Sequence, residues 1–299
     1  MSYAKFNTYN GIELIAEAPE AEMKNNKSII FYGGDRRILA ASECFKNDGF
    51  DCCNVFYDFN EKYSNIPYNT DYIILPIPSF VEGTKINCVG NIPAEHLFNR
   101  AKTGTVIFGA MIPDFIFRMA NEYNLSVYDY ANREEFSVLN AVPTAEAAII
   151  CAAGMIDKTI FGTRFDIVGY GRIGKALSHR LSALGGIVNI AARSPGARSM
   201  AEADGLKTYT LSEYLKSPSD CDILFNTVPC RIIGKEAVLD SNSIYIDLAS
   251  KPGGFTQEAE MLLGDRLIHA LSLPGKYSPV SAGEIIYKTV KSIINEIGG

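Results

Sequence analysis

Residues 165–174 read FDIVGYGRIG, and this stretch decides the fold. Phe165, Ile167 and Val168 form a short apolar strand that runs straight into Gly169, Gly171 and Gly174. The residues from 173, IGKALSHRLSAL, place Ile173, Ala176, Leu177, Leu181 and Leu184 at helical spacing. Strand, G-x-G-x-x-G turn and helix in that order are the context in which the glycines carry meaning. The first permits a tight turn, the second lets a pyrophosphate approach the backbone, and the third lets the helix close on the strand. The helix N-terminus adds free N–H groups and the positive end of a dipole. The expected cofactor-binding turn is Gly169, Tyr170, Gly171, Arg172 and Ile173.

Working outward, the strand Ile187–Ala192 ends in Arg193-Ser194, with Arg198 close behind. About 20 residues past the motif a NAD site carries an acidic residue on the ribose. Here there is none. Arg193, Ser194 and Arg198 supply donors suited to a 2′-phosphate, so NADP is favoured over NAD; the alternative is that both arginines are solvated surface charges. Asp222–Val228 reads as the fourth strand of this unit. It ends in Asn226, Thr227, Val228 and Pro229, small groups at the carboxyl edge where the nicotinamide end of a dinucleotide lies. The next strand, Ser243–Leu248, carries Asp247 near its end and is followed by Ala249 and the loop bearing Lys251; Asp247 and Ala249 are expected to contact the cofactor. Leu267–Leu271 is a last strand, and a helix runs from Ser281 to Ile297.

The N-terminal half repeats the strand–helix alternation. Lys27–Tyr32, Asp51–Tyr57, Asp71–Leu75, Thr105–Phe108 and Ser126–Asp129 read as strands apolar through their length, which means a parallel sheet covered on both faces. Its first turn is Gly33-Gly34-Asp35-Arg36-Arg37, without the dinucleotide spacing. The expected architecture is α/β, with two Rossmann-like doubly wound parallel-sheet domains and a cleft between them. Residues 1–27 read as an extension, 28–142 as a substrate domain and 143–280 as the cofactor domain with a connector helix at 143–157. Residues 281–299 read as a terminal helix packing back on the first domain. Pro143 is expected to open the connector, placing Thr144 and Glu146 in its first turn as a cap or as part of the cleft.

Composition bounds the rest. The chain has 299 residues, 47% hydrophobic and 21% charged, with a net charge of −6. That balance argues against general affinity for nucleic acid or anionic membranes. No signal peptide and no run near the roughly 18 apolar residues of a membrane helix is expected, so a cytoplasmic location is. The seven cysteines show no paired C-x-x-C spacing and read as reduced thiols, with no metal site.

Several of these pieces resemble the A-subunit family of dipicolinate synthase from spore-forming bacteria. They are GGDRR at 33–37, YIILP at 72–76, VPTAE at 142–146, VGYGRIGKALSHRLSALG at 168–185, AARS at 191–194, FNTVP at 225–229, IDLASKPGG at 246–254 and LPGKYSPVSAGEI at 273–285. The PIPSFVEG segment at 76–83 departs from the family's Ser/Gly-rich turn. The resemblance implies oxidation of dihydrodipicolinate, or its hydrated precursor from the lysine pathway, to dipicolinate with NADP+ during sporulation. It also implies that the partner is a flavoprotein-like B subunit. A homo-oligomer is expected as well. A dianionic substrate in a protein of this charge needs local cations and donors. Arg36, Arg37, Ser79 and Thr144 are the candidates for binding it, and Arg36, Ser79 and Lys251 are those for catalysis. A reductase for 2-keto acids, or a cofactor-binding subunit without chemistry of its own, are the alternatives.

Overall fold

The computed structural model describes residues 8–9, 12–13, 27–56, 70–90, 92–99, 101–218, 220–239 and 241–298. Of the N-terminal extension only Lys27 and an antiparallel pair, Thr8–Tyr9 with Ile12–Glu13, are among them. Tyr57, at the end of the strand expected over Asp51–Tyr57, lies outside the described residues.

The first sheet is built from β1 (Ser28–Tyr32), β2 (Asp51–Val55), β3 (Thr70–Ile74), β4 (Ala101–Gly109) and β5 (Ser126–Asp129). Helix α1 (Arg36–Asn47) follows β1, and α2 (Asp114–Glu122) lies between β4 and β5. All pairings are parallel, in the order β2-β1-β3-β4-β5. Side chains alternate between two buried clusters: Ile29 and Phe31 face one, Ile30 and Tyr32 the other. A strand buried on both faces must be apolar at every position, which is why SIIFY shows no alternation.

Helix α3 (Glu134–Ala153) passes from this sheet to the next. Its Phe136 belongs to the first core, and its Ala145, Ala148 and Ala152 to the second. It begins at Glu134, not at Pro143 as expected. Pro143 lies in its interior, where it offers no N–H. Beside it, Thr144 donates its Oγ1 to the Asn140 carbonyl at 2.7 Å, so the hydroxyl bonds back along the helix and does not cap its start. A window of α3 has a mean hydropathy of 1.5, apolar enough by length and composition to cross a membrane, contrary to expectation. The small residues of its second half pack against the neighbouring helix in the second core.

The second sheet comprises β6 (Arg164–Val168), β7 (Ile187–Ala192), β8 (Lys207–Thr210), β9 (Ile223–Asn226), β10 (Ile244–Asp247) and β11 (Leu267–His269). Its helices are α4 (Arg172–Ala183), α5 (Pro195–Ala203), α6 (Leu211–Lys216) and α7 (Gln257–Leu263). The order β8-β7-β6-β9-β10-β11 is parallel throughout and reverses direction between β6 and β9. Ligands of open α/β sheets bind outside the carboxyl ends of the strands at such a reversal.

Two closing helices, α8 (Leu273–Tyr277) and α9 (Pro279–Glu296), return to the first sheet. Ile285, Ile286, Val290, Ile293 and Ile294 of α9 are buried in the first sheet's core beside Phe31 and Phe45. A Cβ at Gly283 would lie 2.5 Å from the Arg37 carbonyl and 2.6 Å from Ala40 Cβ. Glycine is therefore needed there for α9 to lie against α1.

Candidate functional site

The site begins at the end of β6. Gly169 has φ +97°, a conformation that side chains resist. A Cβ there would sit 2.4 Å from Thr227 Oγ1. Thr227 in turn donates both its N–H and its hydroxyl to the Val168 carbonyl, each at 2.9 Å. The turns after β6 and β9 are thus locked together across the sheet reversal. Gly174 lets α4 close down, since a Cβ would fall 2.4 Å from the Gly169 carbonyl oxygen.

Gly171 is different. A Cβ there would meet nothing within 4 Å. It occupies the N-cap position of α4, and no side chain caps the helix. The first backbone bond of this helix runs from Lys175 N–H to the Gly171 carbonyl, leaving the preceding amides to outside partners. An open lip, a bare helix N-terminus and no neighbouring side chain to fill the space fit a bound pyrophosphate.

Of the other residues named from the motif, Tyr170 and Ile173 look inward and Arg172 outward. Tyr170 is buried in the core, its hydroxyl donating to Asp204 Oδ2, and His179 Nε2 approaches the same oxygen at 3.3 Å. Burial and then the Asp204 carboxylate push the Tyr170 phenol up to about 12. Its hydroxyl ties the glycine turn to the end of α5. Arg172 is exposed and grips Glu134 at the start of α3, with Nε to Oε1 at 2.9 Å and Nη2 on Oε2. Ile173 packs against the second core.

At the end of β7, Arg193 and Ser194 are exposed. Ser194 caps α5 by accepting from Ala197 N–H at 3.4 Å. Arg198 turns back, and its Nη1 donates to the Ala192 and Arg193 carbonyls at 2.9 Å each. It therefore shapes the loop that presents Arg193. Val228 is half-buried and Pro229 exposed.

Asn226 and Asp247, which end neighbouring strands, are buried and bond to each other, Asn226 Nδ2 to Asp247 Oδ1 at 2.7 Å. Asn226 also holds both backbone groups of Val228, and Asp247 holds the N–H groups of Ala249 and Gly254. Ala249 is buried, whereas Lys251 at the loop's tip is exposed.

In the first sheet the candidates separate. Arg36 is exposed. Arg37 is buried and folded onto Asp35, its Nη2 2.7 Å from Oδ2 and 3.2 Å from the Ile77 carbonyl. Gly275 of α8 abuts this pair, with Asp35 Oδ2 2.7 Å from the place its Cβ would take. Arg37 is thus a fixture of the contact between the first turn and α8. Ser79 is fully buried; its hydroxyl donates to the Pro76 carbonyl at 2.9 Å and accepts from Ala110 N–H at 2.7 Å. Neither Ser79 nor the mid-helix Thr144 has a hydroxyl proton left for a ligand. Arg36 and Lys251 remain as exposed cations.

Asp35 is legible as the N-cap of α1, since it precedes a helical run and accepts from Arg37 N–H at 3.0 Å. Asp204, the partner of Tyr170, carries no signal in the sequence. His96, in a polar stretch that suggests exposure, is half-buried edge-on to Tyr32 and Phe56.

Comparison with known proteins gives the chain relatives. No protein-family model matches it. It is 29% identical over 241 residues to the A subunit of dipicolinate synthase from Bacillus subtilis (strain 168), covering 78% of this chain and 80% of that protein. The crystal structure of the corresponding A subunit from Bacillus halodurans has the same fold, with a TM-score of 0.80 at 23% identity over 90% of this chain and 97% of the other. An NAD-complexed D-isomer-specific 2-hydroxyacid dehydrogenase of Lactobacillus delbrueckii ssp. bulgaricus shares the two-sheet architecture more distantly. Its TM-score is 0.55 at 12% identity, over 92% of this chain and 98% of that one.

Proposed function

From its kinship with the A subunit of dipicolinate synthase, we propose that this chain is a nicotinamide-dependent oxidoreductase. It oxidises dihydrodipicolinate, formed from its hydrated precursor by loss of water, to dipicolinate and takes NADP+ in preference to NAD+. The observation that carries the reading is the glycine turn at the reversal of the second sheet, whose lip at Gly171 is open and whose helix has no cap of its own.

The bound cofactor supplies the hydride acceptor; the chain supplies position and charge. The amides at Gly171–Ile173 receive the pyrophosphate. Arg193 and Ser194, exposed at the end of β7, receive the 2′-phosphate, and Arg198 fixes the loop that presents them. The turns at Thr227–Pro229 and at Ala249 border the nicotinamide half. Oxidation of a dihydropyridine removes one hydride and one proton and leaves an aromatic ring, so the substrate itself provides much of the driving force. Orientation is then the main demand on the protein. Arg36 and Lys251 meet the substrate's carboxylates.

The test supplies the unsaturated dicarboxylate precursor with NADP+ or NAD+, with and without a flavoprotein-like B subunit, and follows dipicolinate and reduced cofactor together. Dipicolinate formed in step with NADPH is expected. No product in any arm overturns the substrate, and faster turnover with NAD+ overturns the role of Arg193. Product only with the second subunit favours the reading in which this chain binds cofactor for a partner's chemistry.

A further inference from the structure

Beneath the nicotinamide half of the proposed site lies a charge that the reading above does not use. Asp247 is 1% exposed. Its Oδ1 accepts from Asn226 Nδ2 at 2.7 Å and from Ala249 N–H at 3.1 Å, and its Oδ2 accepts from Gly254 N–H at 2.9 Å. Every one of these partners is a donor, the environment of an ionised, acceptor-only carboxylate. Among the described residues no lysine, arginine or histidine pairs with it. Two glycines let the loop close on it: a Cβ at Gly253 would stand 2.7 Å from Oδ2, and one at Gly254 2.0 Å from Asn226 Nδ2.

A buried carboxylate held by neutral donors and no cation keeps its negative field. The direction of that field follows from topology. The glycine turn stands at the reversal between β6 and β9, and the arginines at the end of β7 mark the adenosine side. The other half of a dinucleotide lies across the carboxyl ends of β9 and β10, and Asp247 is the last residue of β10. The oxidised nicotinamide ring is cationic and the reduced ring is neutral.

We infer that Asp247 is a positioning residue with an electrostatic function, holding the turns around the nicotinamide end and stabilising the oxidised over the reduced ring. This rests on the nicotinamide-dependent reading above. The two duties are separable, because Asn226 shares the hydrogen bonds and carries no charge. Both buried residues tie the loops; only one of them can tell the ring's two charge states apart.

Dissociation constants for NADP+ and NADPH are to be measured on the full chain and on Asp247→Asn and Asn226→Ala, with circular dichroism of each unliganded protein as a check of folding. Asp247→Asn is expected to weaken NADP+ relative to NADPH by about tenfold, the scale of one partly screened charge pair. Asn226→Ala loosens the turns and is expected to weaken both forms by the same factor, leaving the ratio unchanged. Should Asp247→Asn not fold, Asp247→Ser removes the charge while keeping one hydroxyl acceptor and gives the same reading. An unchanged ratio in the folded charge-removing variant overturns this inference alone. A chain that binds neither form overturns it together with the proposed function.

Discussion

Each of the two parallel sheets opens with the same device, a strand that ends in glycines and turns into a helix, yet the space around the two turns is filled differently. After β1, the space above Gly33 is taken by Cys88, whose Cβ lies 2.2 Å from where a Cβ on Gly33 would stand, and Gly34 is covered by Pro76 and Ile38. The helix that follows is capped from within by Asp35, and Arg37 folds back onto the cap. After β6, Gly171 faces open space and α4 has no side-chain cap. A helix N-terminus attracts an anion either way. In the first sheet the anion is the protein's own carboxylate. In the second no side chain of the protein takes that place.

That contrast can be broken by making the second turn resemble the first. Gly171 has φ −88°, so a larger residue fits the backbone. Gly171→Asp should supply an internal cap and repel a pyrophosphate. Cofactor affinity is expected to fall roughly a hundredfold while the melting temperature stays level or rises, as calorimetric titration and thermal melting would show. A variant that still binds cofactor with unchanged affinity would mean the bare helix end is not the seat.

The opposite change tests the first turn. Asp35→Asn removes the charge that holds Arg37 while leaving a side-chain acceptor at the N-cap. Stability should fall by about 1–2 kcal/mol, a modest figure because the Asp35 side chain is 43% exposed. Cofactor affinity should not move, and no nucleotide should bind at residues 33–37. The deficit should also depend on pH. Burial works to raise the Asp35 pKa, but the hydrogen bonds and charge of Arg37 outweigh it and hold the carboxyl below its ordinary value. A lowered folded-state pKa contributes stability that is complete above the unfolded value, about 3.9, and is lost as pH falls through the folded one. The gap between wild type and Asp35→Asn should be constant near neutrality and shrink below about pH 4 in melting curves.

A smaller effect belongs to Arg193. Arg193→Ala should cost about tenfold in the preference for NADP+ over NAD+, the worth of one charge-assisted contact at an exposed position. Ser194→Ala, which loses one hydroxyl and part of the α5 cap, should cost less than that in the same pair of titrations.

The regular part of this protein can be read from its sequence because it rests on local pattern. Strand Ile187–Ala192 falls where the apolar run places it, and parallel strands buried on both faces reveal themselves by lacking alternation. The start of helix α3 misleads for a local reason too: proline is favoured in a helix's first turn, so Pro143 looks like a beginning. The packing of a long helix against two cores overrides that preference. Side-chain duties are harder to read because a polar residue's partner is a property of the folded state. Ser79, Tyr170, Asn226 and Asp247 have the residue types of ligand contacts, yet each hydrogen-bonds to the protein itself. Arg36 and Arg37 are adjacent and chemically equal, and only the turn decides that one is exposed and the other buried.

The contrast between the two glycine turns is tested most directly by amide hydrogen exchange of the intact chain with and without NADP+. Backbone protection should appear on binding at 169–174 and at 193–198, with none added at 33–37. New protection at 33–37, or none at 169–174 under saturating cofactor, would contradict the assignment of the open turn as the dinucleotide seat.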